Sequence, residues 1–169
     1  MPDKEMIEAA MPLLDLCIKK KLTLAIAESC TGGLLAATLT EIAGSSRVVD
    51  RGYVTYSNES KQQIGVALAT LERYGAVSRE TAEAMAKGAL TNAQVDLTVA
   101  ITGIAGPGGG TPEKPVGLVH FAVAAARSGK LVHHEHRFGD IGRADVRRLS
   151  VLQALAMLRE LAESEPTTQ

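Results

Sequence analysis

The chain has 169 residues, which suits one domain of ordinary size. It is 46% hydrophobic but only 3% aromatic, so its core must be built from Leu, Val, Ile and Ala, and two cysteines are too few for a disulfide framework. The formal charge of −1 comes without a basic stripe, no apolar run approaches the roughly 18 residues of a membrane span, and Met1–Glu5 is charged; no nucleic-acid partner and no membrane are expected, and the cytoplasm is the expected location.

Ile7, Ala10, Met11, Leu14 and Ile18 recur at helical spacing, so residues 3–20 read as an amphipathic helix. Leu22–Ala27 reads as a strand, followed by the loop Glu28-Ser29-Cys30-Thr31-Gly32-Gly33. A buried-helix pattern begins at Leu34 and ends at Gly44-Ser45-Ser46. A second strand covers about 50–56, and Asn58 is the expected N-cap of a short helix containing Lys61. Thr70–Tyr74 reads as another short helix, stopped by Gly75.

Ser78, Glu80 and Thr81 mark a helix start, with Ala82, Met85, Ala86, Ala89 and Ala93 as its apolar stripe. A third strand covers about 95–101 and opens into a loop from Thr102 to Gly110. Pro115 introduces a fourth strand at about 116–126, and a turn at Arg127–Lys130 leads to a fifth at about 131–138. The last helix starts within Asp140–Arg143 and carries Val151, Leu155, Leu158 and Ala162 on one face. One domain spans 1–169, with a core of about 5–162 and a polar tail at 163–169. The early alternation implies parallel strands joined by crossover helices, and the late hairpin adds an antiparallel strand. The expected fold is α/β, a mixed five-stranded sheet with helices on both faces.

In such a sheet, ligands bind beyond the carboxyl ends of the parallel strands. If the first three strands are parallel, Ser29, Lys61 and the loop 103–110 all face one crevice. Ser29 follows a strand and precedes a helix, so its hydroxyl is a candidate nucleophile, and the N–H groups around Thr31, Gly32 and Gly33 are candidate donors to a developing oxyanion. Ser29 and Thr31 could equally serve only as helix caps. A serine hydroxyl needs a base. No histidine occupies a comparable strand-end loop, which leaves Lys61, with Tyr56 to orient it or relay a proton. A lysine acts as a base only when burial or a nearby cation lowers its pKa, whereas a lysine on a short helix is ordinarily solvated. Cys30 competes as nucleophile, since a helix N-terminus favours a thiolate. Glu28 could act as an acid or anchor the loop through backbone N–H groups.

The glycines of Thr102–Gly110 could let backbone amides cradle a phosphate or carboxylate, although the P-loop Lys-Ser/Thr pair is missing; a plain flexible loop is the alternative. Arg143 and Arg147 stand four residues apart at the start of the last helix; either could hold a phosphate, but Arg147 and Arg148 read better as a solvated face. His134 and His136 alternate on one strand without metal-ligand spacing, so an exposed strand face is expected and no metal site. Cys17 reads as a core residue.

The runs AESCTGG, GYVTYSNESK, GAVS, ITGIAGPGGG with KPVG, and the final GD-x-x-R-x-x-V-R pattern resemble the CinA carboxy-terminal domain family over about residues 5–162. This chain departs from the family in an extra Ile141-Gly142 inside the motif more often written GDR, and no counterpart of the amino-terminal domain of long CinA proteins is expected. The resemblance implies a three-layer α/β/α sandwich with a mixed, mostly parallel five-stranded sheet. Many stand-alone members are nicotinamide mononucleotide deamidases, so it also implies hydrolysis of that carboxamide to nicotinic acid mononucleotide and ammonia. Ser29 then matches the nucleophile, and Tyr56 and Lys61 its catalytic partners. Glu28, Cys30, Thr102, Gly103, Gly106 and Arg143 are the expected substrate contacts. No cofactor or metal is expected; the expected partners are a small nucleotide and a second copy of the chain in a homodimer. The alternative is a non-catalytic nucleotide-binding or partner module of a competence or DNA-damage response.

Overall fold

In the computed structural model of the chain, which describes residues 1–167, the first helix starts where its N-cap allows. The Asp3 carboxylate accepts from the Met6 N–H at 2.9 Å, and α1 runs over Lys4–Lys20. Glu5 in its first turn and Lys19 and Lys20 in its last complement the helix dipole. Met6, Ala10, Leu13, Leu14 and Cys17 face the core. The chain then alternates through β1 (Leu24–Glu28), α2 (Leu34–Thr40) and β2 (Val49–Val54). Three helices, α3 (Asn58–Gln63), α4 (Leu68–Tyr74) and α5 (Arg79–Ala93), lead to β3 (Leu97–Gly103). The hairpin of β4 (Leu118–Ala125) and β5 (Leu131–Arg137) precedes α6 (Arg143–Ser164).

The N-cap of α3 is Ser57 rather than the expected Asn58. Ser57 is extended, and its hydroxyl accepts from the Ser60 N–H while the Ser60 hydroxyl accepts from the Ser57 N–H. This reciprocal box outcompetes an Asn58 cap, since it satisfies two backbone donors at once.

The sheet order is β2-β1-β3-β4-β5. β1 lies parallel to both neighbours, and β3-β4 and β4-β5 pair antiparallel, so four strands run one way and only β4 is reversed. Every residue of β1 and β4 is buried, as expected of strands covered on both faces. Leu24, Ile26, Val99 and Ile101 pack toward α1, α2 and α6. Ala27, Ala100, Ala122 and Ala124 pack toward α5, whose own face is Ala82, Met85, Ala86 and Ala89. The α/β/α sandwich therefore has unequal halves, one bulky and one made mostly of alanine.

Two surface expectations change. His134 and His136 are half-buried rather than exposed: His134 Nδ1 lies 3.3 Å from Gln153 Nε2 of α6, and His136 packs edge-on against Phe121. Among the described residues, no group of His, Cys, Asp or Glu side chains is placed to hold a metal ion. The start of the polar tail is ordered structure. α6 continues to Ser164, and Glu165 is buried. The Lys20 ammonium donates to the carbonyls of Ala162, Glu163 and Glu165 at 2.9, 2.8 and 2.7 Å, and Ser128 donates to the Glu165 carboxylate. Thr168 and Gln169 lie outside the described residues. Among the described residues, no helix is long and apolar enough to cross a membrane.

Candidate active site

The register of the parallel strands brings three loops together. Glu28 pairs with Val54 on one side and Ile101 on the other, so β1, β2 and β3 end side by side. The ladder continues for one more bond on each side: Ser29 N–H donates to Ile101 O at 2.9 Å, and Thr55 N–H to Glu28 O at 2.8 Å. Ser29 and Thr55 are thus held by main-chain bonds just where the strands open into loops.

Lys61 reaches both. Its ammonium nitrogen lies 3.0 Å from Ser29 Oγ and 2.6 Å from Thr55 O. The capped start of α3 aims this side chain back over the strand ends, and Lys61 is only 1% exposed. Among the described residues it has no carboxylate within ion-pair distance, and burial lowers its pKa from the usual lysine range. So placed, Lys61 donates from Nζ to both Thr55 O and Ser29 Oγ, and only in its neutral form would it present a lone pair to the Ser29 hydroxyl.

A cavity of about 270 Å³ opens above the pair. Ser29, Cys30, Tyr56, Lys61, Thr102, Gly103, Gly106 and Arg143 all line it. Cys30 is buried, and its thiol is pushed up to about 12, chiefly by desolvation. Burial outweighs the helix-terminus effect, so this cysteine stays a thiol. Thr102 donates from Oγ1 to Ala76 O at 2.7 Å, which fixes one wall. Tyr56 is more than half exposed at the rim and makes no hydrogen bond to Ser29 or Lys61; its hydroxyl accepts from Arg143 at 2.6 Å.

Four of the expected site residues have a different place. Glu28 is buried beneath the loop, not in the cavity wall: its carboxylate accepts from the N–H groups of Gly33, Leu35 and Ala36 at 3.1, 3.0 and 2.8 Å. It caps α2 through the backbone, the second of its two readings. The first donors of α2 are therefore taken. Gly33 N–H is spent on Glu28, and Gly32 N–H donates to Ser29 O at 3.0 Å. Neither glycine is free to meet an oxyanion, but both take positive φ (+58° and +91°), which lets the chain fold over the carboxylate. Thr31 is fully buried and its hydroxyl has no protein partner. Among the described residues the N–H groups of Cys30 and Thr31 donate to no backbone carbonyl, so the donors nearest Ser29 shift toward its own side of the loop.

Arg147 was expected in solvent. It is half-buried and donates from Nε and Nη2 to Thr31 O at 3.3 and 2.8 Å. It anchors the Ser29 loop to α6, and helical periodicity alone gave no signal of this. Arg148 does lie toward the surface, paired with Asp3 and Glu5. Arg143 donates to Gly106 O at 3.0 Å as well as to Tyr56, so it bridges two rims of the cavity. In the loop it touches, the N–H groups of Ala105, Gly106, Gly108, Gly109 and Gly110 donate to no backbone acceptor among the described residues. Among the described residues the guanidinium has only neutral acceptors and no carboxylate partner, and beside amides without a backbone acceptor it is chemistry for an anion.

Comparison with known proteins agrees with the motif resemblance. The model of the CinA C-terminal domain matches residues 7–162. A competence-damage inducible protein of Thermoanaerobacter pseudethanolicus is 48% identical over 158 residues, covering 93% of this chain and 37% of that relative. A CinA-like protein of Mycolicibacterium vanbaalenii is 52% identical over 138 residues, covering 81% of this chain and 32% of its own length. The chain thus spans about a third of these curated relatives. Among solved structures, the competence/damage inducible protein CihA from Agrobacterium tumefaciens superposes with a TM-score of 0.93 at 52% identity, covering 95% of this chain and 98% of the other. A CinA superfamily protein from Klebsiella pneumoniae gives 0.88 at 35% identity, covering 95% and 99%.

Proposed function

This chain belongs to the CinA C-terminal domain family, and on that premise we propose that it is an amidohydrolase that converts nicotinamide mononucleotide to nicotinic acid mononucleotide and ammonia. The observation that carries the proposal is the 3.0 Å contact between a buried lysine amine and the Ser29 hydroxyl at the floor of a cavity. In this reading Lys61 takes the Ser29 proton as Oγ attacks the carboxamide carbon. Thr55 O holds the amine in line throughout. The N–H groups of Cys30 and Thr31 receive the oxyanion. The tetrahedral intermediate collapses as the Lys61 ammonium returns its proton to the departing nitrogen, which leaves as ammonia. A water then gives a proton to Lys61 as its oxygen attacks the acyl carbon, and the Lys61 ammonium returns that proton to Ser29 Oγ as the acyl–oxygen bond breaks, which frees the acid and restores both residues.

Arg143 and the amides of Ala105–Gly110 would hold the 5′-phosphate, with Tyr56 orienting Arg143 through its hydroxyl. The direct test is ammonia release from nicotinamide mononucleotide, with free nicotinamide and the Ser29→Ala variant as controls. Release from the mononucleotide by the wild-type chain alone supports the proposal. No release by wild type sinks it and favours the second reading, a nucleotide-binding module in a competence or damage response, which the names of the relatives suggest.

A further inference from the structure

The end of α3 meets α5 through residues that do not line the cavity. Ile64 ends that helix, three residues after Lys61, and its side chain is buried with Val66 against Ala82, Met85, Ala86 and Ala89. The Ile64 carbonyl points at α5. An ideal Cβ built on Gly88 would stand 1.7 Å from the Ile64 oxygen and 2.8 Å from its carbon. No side chain fits there, so the end of α3 sits in a notch that only glycine leaves open. Asn92, one turn further along α5, donates from Nδ2 to the same oxygen at 3.4 Å. Two residues on one face of α5 therefore define where the Ile64 carbonyl rests, one by absence of atoms and one by a hydrogen bond.

The contact is transmitted over a short, stiff path. Val66 N–H donates back to Lys61 O at 3.1 Å, and Lys61 N–H donates to Ser57 O at 3.2 Å. Ser57 in turn is locked by its capping box. A helix of six residues clamped at both ends moves as one piece. Its other contact is the buried Lys61 amine on Ser29 and Thr55, both fixed by the sheet.

We propose that Gly88, with Asn92, is a positioning residue for the catalytic lysine: the notch in α5 sets the depth of α3 and so holds the Lys61 amine buried against Ser29. The inference rests on the reading of Lys61 as general base. It assigns a part in the reaction to a residue that touches neither the cavity nor Ser29. A side chain at residue 88 pushes α3 outward, lengthens the amine–hydroxyl contact and lets water reach the ammonium. The longer contact slows proton transfer, and a solvated lysine is protonated at the working pH, so each lowers the rate.

The test compares wild type, Gly88→Ala and Asn92→Ala by titrating the Lys61 Cε resonance in protein labelled with [13C]lysine, the signal being assigned by its loss in Lys61→Arg. In Gly88→Ala the Lys61 midpoint is expected to rise by about half a unit or more toward the free value near 10.4. Turnover should fall roughly tenfold or more with KM nearly unchanged, because ground-state binding is not touched. Asn92→Ala inserts no atom between the helices and should shift the midpoint in the same direction by less. If Gly88→Ala does not fold, Asn92→Ala alone decides. A folded Gly88→Ala in which Lys61 titrates as in wild type overturns the proposal, and so does an unmoved midpoint in Asn92→Ala where that variant stands alone. The resonance is read without substrate. A midpoint that moves in a chain with no amidase activity therefore upholds the positioning and removes only the proposed reaction.

Discussion

Arg143 and Arg147 stand one helical turn apart at the start of α6, and each is spent on a loop rather than on a carboxylate: Arg143 holds Gly106 O and the Tyr56 hydroxyl, and Arg147 holds Thr31 O. One helix end thus ties together the three loops that follow β1, β2 and β3. The two arginines differ in what they leave open. Arg147 is committed to the loop behind Ser29, whereas Arg143 lines the cavity and can trade a neutral acceptor for an anion.

Arg143→Ala is therefore expected to act on substrate affinity. KM for nicotinamide mononucleotide should rise by roughly tenfold or more, in line with the ~1.5–3 kcal/mol of a hydrogen bond to a charged group. Nicotinamide riboside, which lacks the phosphate, should be a poor substrate for wild type and should lose little further in the variant. Steady-state kinetics with both substrates checks this. An equal loss for both would show that Arg143 serves the loops and not the phosphate.

Ser29→Ala should remove turnover by several orders of magnitude while leaving the fold intact, because the hydroxyl contributes little packing. Cys30→Ala should keep most of the activity, since its thiol is pushed up to about 12 and does not supply a thiolate near neutral pH. Ammonia release and thermal melts of the two variants side by side settle which neighbour attacks. Activity that survives in Ser29→Ala and dies in Cys30→Ala would reverse the assignment.

The pH dependence belongs to Lys61. Burial lowers its pKa in the folded chain, and the amine must be neutral to accept a proton, so turnover should rise with pH along an acid limb placed below the free lysine value of about 10.4. Lys61→Arg cannot deprotonate and should be nearly inactive across the range. Near-normal turnover in Lys61→Arg would make the residue a binder of charge only.

The same shift predicts a signature in stability. A lysine whose folded pKa is depressed binds fewer protons folded than unfolded between the two values, so stability rises with pH across that window, and the penalty is fully present below it. Lys61→Met removes the titrating group. The difference in Tm, variant minus wild type, should be greatest below the window and shrink as pH rises through it. A difference independent of pH would mean that Lys61 titrates alike in both states.

Glu28→Gln should destabilise without entering the chemistry. The carboxylate accepts three backbone N–H groups at the start of α2, and an amide must turn its NH2 toward at least one of them. The loss is expected at about 2–3 kcal/mol, or roughly 4–12 °C in Tm for a domain of this size. Calorimetry of the variant measures it; an unchanged Tm would remove Glu28 from its capping role.

The secondary-structure pieces and their ends are legible in the order of the amino acids alone. Apolar runs that stop at Ser29, near Tyr56 and at Thr102 marked three strands opening into loops, and their parallel pairing follows from the helices between them. That was enough to gather Ser29, Lys61 and the glycine loop at one crevice, whereas only the packing of α6 brings Arg143 to it. Strand and helix patterns are legible because they arise between neighbours in the chain, at spacings of two to four residues. The part each polar group takes inside the crevice comes from packing between distant segments. Glu28 could have faced a substrate, and packing turned it under the loop onto α2. Arg147 looked like a surface residue, and the approach of α6 gave it Thr31 O. Lys61 on a short polar helix reads as solvated, yet it is buried, with its amine on Thr55 O and the Ser29 hydroxyl at the strand ends. Desolvation is a property of everything that surrounds a group, and those surroundings come from residues tens of positions away, which no local pattern encodes.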